Sequence, residues 1–325
     1  MTPPPPVESA VLDKPTTETT TRTGPKPLFE ENPKALWEQI ALYLFVIVPF
    51  LALVAAVPYA WGWGLSWRDV VIGLAFYTFS GLGISVGFHR YFTHGSFKAK
   101  RWVRVMLAVA GSMAIEGPVT RWVADHRRHH AYSDKEGDPH SPWRFGDSFG
   151  ALSKGFFYAH VGWLFDEEQT NRERFAPDLL ADKDIARVNR AFPWLVTGTL
   201  VLPAVVGGLW SWSLYGALTA FFWASLVRIC LLHHVTWSIN SICHTIGERP
   251  FAARDKSANF WPLAILSFGE SWHNLHHADP TCARHGVLRG QIDIAARIIW
   301  TFEKCGWVSD VRWPTPERLA AKMQG

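Results

Sequence analysis

The sequence has few of the features that organise small secreted or nucleotide-binding proteins. Its 325 residues include four cysteines and no Cys-x-x-Cys pair, which argues against a disulfide framework and a zinc ribbon. It has no Gly-x-Gly-x-x-Gly fingerprint, because the run that starts Gly81-Leu-Gly83 has Val86 at its last position. No bound nucleotide cofactor is therefore expected. Charged residues make up 18% and the net charge is only +4, so nucleic acid is not an expected partner.

Long apolar runs are present instead. Uncharged stretches cover 40–57, 70–88 and 191–227, and the third is too long for one membrane span. Gly207-Gly208, followed by Trp210–Ser213, is expected to break it into a helical hairpin. The sequence thus predicts an all-α integral membrane protein with four transmembrane helices. Their expected bounds are about 38–58, 69–89, 192–207 and 214–232.

The segments outside these spans differ in charge and composition. Arg68 is the one basic residue in 58–69 and 208–213, whereas 89–190 contains sixteen. The positive-inside rule places that long segment and both termini in the cytoplasm. Trp61, Trp63 and Trp67 are expected to anchor the first loop at the membrane interface. Residues 1–35, rich in proline and threonine, are predicted to be a disordered tail without a signal peptide, and 311–325 a C-terminal tail.

Histidines are concentrated in three places. Eight of the 14 lie in two His-x-x-His-His motifs and one looser pair. Residues three and four apart share one face of a helix. Clustered imidazoles repel one another when protonated, unless a metal keeps them neutral. We therefore predict a metal site rather than histidines satisfied by ordinary hydrogen bonds. The motif residues are His126, His129, His130, His273, His276 and His277, and the pair is His89 and His94.

Eight imidazoles exceed the needs of one zinc ion, so two metals are predicted. Nitrogen ligands alone suit iron, zinc, copper or nickel, and the lipid-facing context favours iron and oxygen activation. His89 and His94 are five residues apart and diverge on a regular helix. Their convergence is expected only if the helix ends or bends there. Asp125 and Glu270 flank the motifs and are candidates to accept a ligand's ring N–H.

The motifs HRYFTH, HRRHH and HNLHH, in this order around four spans, resemble the membrane-bound di-iron fatty-acyl desaturases. The resemblance covers about 36–310 and is greatest to the bacterial branch of the stearoyl-CoA (Δ9) group. It extends to the runs 137–140, 160–163 and 236–240. It implies a cytosolic helical cap that carries a three-His-box dimetal site. The implied iron ligands are His89, His94, His126, His129, His130, His244, His273, His276 and His277.

The resemblance also implies the remaining site residues and the reaction. Asn240 would hold a metal-bound water, and Trp122 and Thr236 would line the bend of an acyl tunnel. The implied activity is O₂-dependent insertion of a cis double bond, at Δ9, into a saturated acyl-CoA. Because no His-Pro-Gly-Gly cytochrome motif is present, electrons are expected from a separate ferredoxin- or flavin-type reductase. The expected location is a bacterial plasma membrane.

Three alternatives remain open at this stage. The first is a di-iron lipid hydroxylase or ketolase, and the second a desaturase that acts on acyl carrier protein or an intact lipid. The third is a non-enzymatic metal-binding membrane protein. One departure from the animal enzymes bears on the carrier: Asp166-Glu167-Glu168 stands where those enzymes have a basic pair for the phosphates of CoA. Acidic residues there would repel a phosphorylated nucleotide.

Overall fold

The computed structural model describes residues 26–60 and 64–323. Trp61, Trp63 and residues 1–25 of the predicted tail lie outside the described residues. The described chain is mostly helical. Its α-helices are α1 (Leu36–Ala60), α2 (Trp67–Leu82), α3 (Arg101–Ser112), α4 (Val119–Tyr132), α5 (Phe149–His160), α6 (Arg172–Phe175), α7 (Pro177–Ala181), α8 (Lys183–Ser211), α9 (Leu214–Ala220), α10 (Arg228–Ser241), α11 (His273–Ala278), α12 (Ile294–Lys304) and α13 (Pro316–Ala320).

Shorter and wider elements complete the fold. Two strands, β1 (Lys98–Ala99) and β2 (Val308–Ser309), pair antiparallel. Short 3₁₀ turns occupy Gly162–Phe165 and Trp261–Leu263. Two π-helical segments, Gly83–Thr93 and Phe221–Val227, continue α2 and join α9 to α10.

Within residues 26–60 and 64–323, four continuous helices are long and apolar enough to cross a membrane. They are Leu36–Tyr59, Trp67–Thr93, Lys183–Ser211 and Leu214–Ser241. The predicted number of spanning helices is therefore confirmed. The second and fourth helices continue beyond the apolar runs, to residues 93 and 241. This continuation places His89 and Asn240 on the second and fourth membrane-spanning helices themselves.

The predicted break in the third apolar run, from Gly207 to Ser213, is confined in the structure to its last two residues. Gly207 and Gly208 are inside α8, where they allow α9 to approach closely: a Cβ atom on Gly207 would lie 2.3 Å from that of Ala220. The chain reverses at Trp212, which has a positive φ of 49°, and at Ser213, whose hydroxyl accepts the amide hydrogen of Tyr215. The first arm of the hairpin therefore ends at residue 211 rather than 207.

The π-helical segment after α2 packs against α3 at very short range. A Cβ atom on Gly83 would lie 2.1 Å from the amide nitrogen of Gly111, so glycine is required where the two helices cross. Val86, Phe88 and Leu107 are buried in the adjoining core. This contact fixes the end of the second span, and with it the first His motif.

Residues at both ends of the described chain pack against the domain. The amide of Glu30 donates to the carbonyl oxygen of Gln169, and the amide of Asn171 donates to that of Leu28. The amide of Lys34 likewise donates to the carbonyl oxygen of Glu167. The predicted disordered tail therefore extends too far, because these three pairs hold the segment 28–34. Near the other end, the Arg318 guanidinium contacts the carboxylate of Asp279, which joins α13 to the segment after α11.

Candidate metal centre

A wide helical turn brings the first two histidines together. The amide of His94 donates to the carbonyl oxygen of His89 over 3.2 Å, which is the five-residue hydrogen bond of a π-helix. In such a turn residues five apart share a face, and the ring centroids of His89 and His94 lie 5.0 Å apart. The helix also ends at Thr93, so the expected helix end is confirmed, and a local widening of the last turns completes the convergence.

Helix α4 and helix α11 supply the other motif residues, and their rings join two separate groups. In the first group, Nε2 of His276 lies 3.0 Å from Nε2 of His89 and 2.9 Å from that of His130. Nε2 of His126 lies 3.1 Å from that of His130. The five rings with ligand atoms within 4.8 Å of one another are those of His89, His94, His126, His130 and His276.

The second group contains two rings from α11, one from α4 and the ring of His244, which follows α10. Nε2 of His273 lies 3.1 Å from Nε2 of His244 and 2.9 Å from that of His277. His129 of α4 completes this buried set of four. Each His-x-x-His-His motif is therefore divided between the two groups.

These spacings fit metal coordination. Two nitrogen ligands that are each about 2.1 Å from one ion, at a right angle, lie about 3.0 Å apart. The buried Nε2 atoms of His94 and His129 have no hydrogen-bond partner, which is a costly arrangement unless another ligand satisfies them. The two groups therefore suit two metal ions, one with five ring nitrogens and one with four.

Carboxylates orient four of the rings from the far side. Each contacts an Nδ1 atom and so leaves Nε2 free to bind metal. Glu270, predicted for this role, lies 2.6 Å from Nδ1 of His89. The other three pairs are His129 with Asp138 at 3.0 Å, His244 with Asp134 at 2.9 Å and His277 with Asp255 at 2.6 Å.

Asp125, the other residue predicted for this role, points elsewhere. Its charge interacts with Lys34, Arg121 and Arg128, and its side chain bonds to Thr170. Burial raises the pKa of Asp125. The orienting function therefore falls on Asp134, Asp138 and Asp255, which the sequence analysis did not single out. Asp138 belongs to the run 137–140 that carries part of the family resemblance.

The charge state of the cluster suits metal binding. Burial, reinforced by neighbouring rings, holds the pKa values of His126, His130 and His276 well below the usual range, so these imidazoles are neutral. Burial alone would also lower the pKa of His244, but the Asp134 carboxylate outweighs it and raises that pKa. Burial alone would raise the pKa of Asp134, but the nearby His244 ring lowers it below the usual value. Both shifts have the same cause, the contact between the His244 ring and the Asp134 carboxylate.

Two further histidines, His140 and His285, border the groups. The His285 ring lies 4.6 Å from that of His276 and its Nδ1 is 3.3 Å from Glu270. The His140 ring lies 4.4 Å from that of His129. Sequence motifs place neither among the ligands, and in the structure both contact the carboxylates that orient ligand rings.

A mostly apolar cavity of about 700 Å³ adjoins the cluster. This volume lies in the range of small-molecule sites. His89, His126 and His273 form part of its wall, together with Asn240. The cavity is further lined by Phe45, Ile84, Phe192, Val196, Leu232 and Ile239.

Trp122 and Thr236, predicted as tunnel residues, both line this cavity. Between them lies Glu116, whose carboxylate accepts a hydrogen bond from the Trp122 indole at 3.1 Å. Burial raises the pKa of Glu116 to about 7, against hydrogen bonds from Trp122 and Thr236 that lower it. The mostly apolar lining of the cavity thus includes one carboxyl group that changes its charge near pH 7.

A second part of the cavity lining, which we call its mouth, consists of partly exposed charged side chains. Lys34 is held there because its ammonium donates to the carbonyl oxygens of Leu164 and Asp166, at 2.6 and 2.7 Å. The charged lining residues at this mouth are Glu30, Lys34, Glu38, Arg121, Asp125 and Arg172. An elongated molecule with an apolar tail and a polar head would match this distribution.

The fold and the site together define a class: a helical protein with four helices of membrane-spanning length and two histidine groups, suited to hold metal ions, beside an apolar cavity. The family model described as fatty acid desaturase matches residues 65–289. The chain belongs to the fatty acid desaturase family.

Three relatives show the range within this family. The hex-5-enoyl-[acyl-carrier protein] acetylenase of Moorena producens is 39% identical over 86% of this chain and 88% of that protein. The Delta-9 acyl-lipid desaturase 1 of Arabidopsis thaliana is 33% identical over 87% and 88%. The acyl-CoA C20 Delta5-desaturase of Anemone leveillei is 35% identical over 77% and 76%. Their names specify three different acyl carriers.

Proposed function

We propose that this protein is an O₂-dependent desaturase that introduces a cis double bond, at Δ9, into a saturated acyl chain. One observation carries the proposal: His89, His126 and His273 belong to the paired histidine groups and also line the apolar cavity. A methylene chain in that cavity would pass directly beside the metal centre. The Delta-9 name of the Arabidopsis relative supports the position of the double bond.

The nine histidines of the two groups are the proposed ligands of two irons. Asn240, at the end of α10, lies four residues before His244 and lines the cavity. Its amide is therefore suited to hold a water at the four-ring group, which contains His129, His244, His273 and His277. When bound, the irons would supply the activation of O₂ and the removal of hydrogen from the substrate. Nitrogen ligation alone does not select iron, and the family membership supports that choice.

The reaction removes one hydrogen from each of two adjacent carbons. Per double bond, one O₂, two electrons and two protons are consumed, and two waters leave with the hydrogens taken from the chain. The protein holds the chain in one register, because Trp122, Thr236 and their apolar neighbours fix which carbons face the histidines. The apolar wall also excludes water from the reacting carbons.

The site faces the cytoplasm of a bacterial cell in this proposal. The concentration of basic residues in 89–190 supports this orientation for the plasma membrane. The electrons would come from a separate reductase of the ferredoxin or flavin type.

The cavity mouth supports a carrier with fewer phosphates than CoA. Lys34, Arg121 and Arg172 are balanced there by three carboxylates, and the acidic run 166–168 begins at the residue that binds Lys34. An acyl carrier protein thioester or an intact lipid is therefore proposed ahead of acyl-CoA. The same saturated chain, presented on each of the three carriers to purified enzyme, tests this order. Fastest turnover of the CoA ester would contradict it.

Product analysis tests the reaction itself. Mass spectrometry of the fatty acids of a host that expresses the gene should show a new cis-monounsaturated chain, which a host expressing His129→Ala lacks. A hydroxylated or oxo product would instead support the hydroxylase or ketolase alternative. Bound metal without any oxidised lipid would support the non-enzymatic alternative.

A further inference from the structure

Trp143 connects the four-ring histidine group to the protein surface. Its indole N–H donates to the main-chain carbonyl oxygen of His244 over 2.8 Å. His244 is a proposed iron ligand, and Trp143 itself is only partly buried. A partly exposed aromatic side chain is therefore hydrogen-bonded directly to the main chain of a proposed ligand histidine.

Lys256 covers the outer face of this ring. Its ammonium lies 3.2 Å from the centroid of the Trp143 ring, and its amide donates to Asp134, the partner of His244. The preceding residue, Asp255, contacts His277 of the same group. We name Trp143, Asp255 and Lys256 the Trp143 panel. All three members reach ligands of the four-ring group, directly or through one residue.

The exposed residues that neighbour the panel in sequence are predominantly basic, although Arg144 among them is paired with Asp166. Arg249 donates to the main chain of Asp255, and Lys154 lies over the ring of Phe145, two residues from Trp143. Exposed acids near the panel in sequence are fewer. The exposed basic residues are Lys135, Arg144, Lys154, Arg249, Arg254 and Lys256, and the exposed acidic ones are Glu136, Asp147 and Glu248.

The panel is separate from the substrate cavity. Within the part of the chain that the structure describes, the cavity lining includes neither Trp143 nor Asp255 nor Lys256. The cavity meets the metal centre through other residues, such as His89 and His126. A molecule at the panel could therefore approach the centre while an acyl chain occupies the cavity.

We infer that the Trp143 panel is the electron-entry surface, and that it docks a small acidic one-electron carrier protein. This inference rests on the proposed function, which consumes two electrons per double bond. The carrier delivers them in two separate encounters, is oxidised by one electron in each, and leaves the panel by the route it came. Complementary charge supports the choice of an acidic partner, because it steers encounter between a basic rim and a negative carrier.

Binding to metal-free protein tests the docking surface without reference to turnover. The probe is an acidic plant-type [2Fe–2S] ferredoxin, and the matched pair of variants is Lys256→Glu and Lys304→Glu. At low salt Lys256→Glu should weaken binding about tenfold, since charge steering changes association rates by that order or more. The difference should shrink as salt is added. Equal binding by both variants would overturn the docking assignment.

Electron delivery tests the role of Trp143. The readout is the ratio of the ferredoxin-driven rate to the dithionite-driven rate of reduction of the metal-loaded protein. Trp143→Phe keeps an aromatic ring but loses the N–H that bonds His244, so this ratio should fall several-fold at equal metal content. An unchanged ratio would overturn the route through the indole. If neither reductant yields desaturated product, the proposed function fails, while the binding experiment still reports on the surface.

Discussion

The amide of His94 donates a hydrogen bond to the carbonyl oxygen of His89, five residues earlier, over 3.2 Å. This one wide turn places both rings in the same five-ring group. A regular helical turn would rotate one ring away from the other. The proposed first metal position therefore depends on the local backbone geometry at the end of the second span as well as on residue type.

Replacement of Gly83 by alanine should displace this turn. The added Cβ atom would meet the backbone of Ala110 and Gly111 at 2.3 and 2.1 Å, and backbone cannot move aside as a flexible side chain can. We expect a loss of about 1–3 kcal/mol in unfolding free energy, typical of overpacking, and reduced metal binding. Thermal unfolding in detergent measures the first effect.

The matched control for that substitution is Gly150→Ala. Gly150 also lies in a helix, α5, and nothing lies within 4 Å of the Cβ position. This variant should be as stable as the wild type or slightly more so, because alanine favours helix. Equal destabilisation by both alanines would show that the contact between Gly83 and α3 is unimportant.

Loss of one ring should affect one metal position more than the other. His129→Ala removes a member of the four-ring group and leaves all five rings of the other group in place. We expect iron content to fall from about two towards one per chain, with activity lost and membrane insertion kept. Metal analysis of purified protein measures this. His234→Gln, outside both groups, should retain the wild-type content; a matching loss there would indicate general unfolding.

The carboxylates behind the rings should tune affinity without being ligands. Asp134→Asn removes the negative partner of His244 Nδ1, and losses of this kind typically weaken metal binding about 10–100-fold. Competition with a chelator measures the affinity. Asp147→Asn, at an exposed acid, serves as the control and should bind metal like the wild type.

Glu116 should make substrate binding depend on pH. Burial raises its pKa to about 7 from the ordinary 4.5, so the folded protein holds this proton more tightly than the unfolded chain does. Its contribution to stability therefore declines as the pH rises from 4.5 towards 7. Above pH 7 a charged carboxylate faces the apolar cavity, and KM for the acyl substrate should rise.

Glu116→Gln isolates this effect. Glutamine keeps an acceptor for the Trp122 indole but cannot ionise, so its KM should be flat between pH 6 and 8. Steady-state kinetics over that range, with wild type and variant side by side, provides the comparison. A wild-type KM that does not change with pH would contradict an effect of Glu116 ionisation on substrate binding. A variant KM that still changes with pH would show that another group is responsible.

The sequence predicted the elements of the site better than their arrangement. Motif spacing identified eight histidines because helical periodicity is local. The division of each motif between two groups could not be read from it, since that depends on how α4 and α11 face each other. The wide turn at His89 could not be predicted for a related reason: the residue types in Gly83–Thr93 do not distinguish a π-helix from an α-helix.

The orienting carboxylates show the same limit. Glu270 and Asp125 both lie near a motif in sequence and are both predicted to orient a ligand ring, yet of the two only Glu270 contacts one. Asp134 reaches His244 from 110 residues away, and no local pattern indicates such a pair. Span number follows from hydropathy, whereas the predicted break before Trp212 starts too early because Gly207 and Gly208 serve helix packing.

Metal analysis of the wild-type protein tests the central claim most directly. After iron-replete expression and purification, the account predicts about two irons per chain, ligated by nitrogen, as two groups of ring nitrogens require. The same preparation should give a desaturated product when supplied with electrons and O₂. Protein that contains one metal per chain, or zinc in place of iron, would contradict the account.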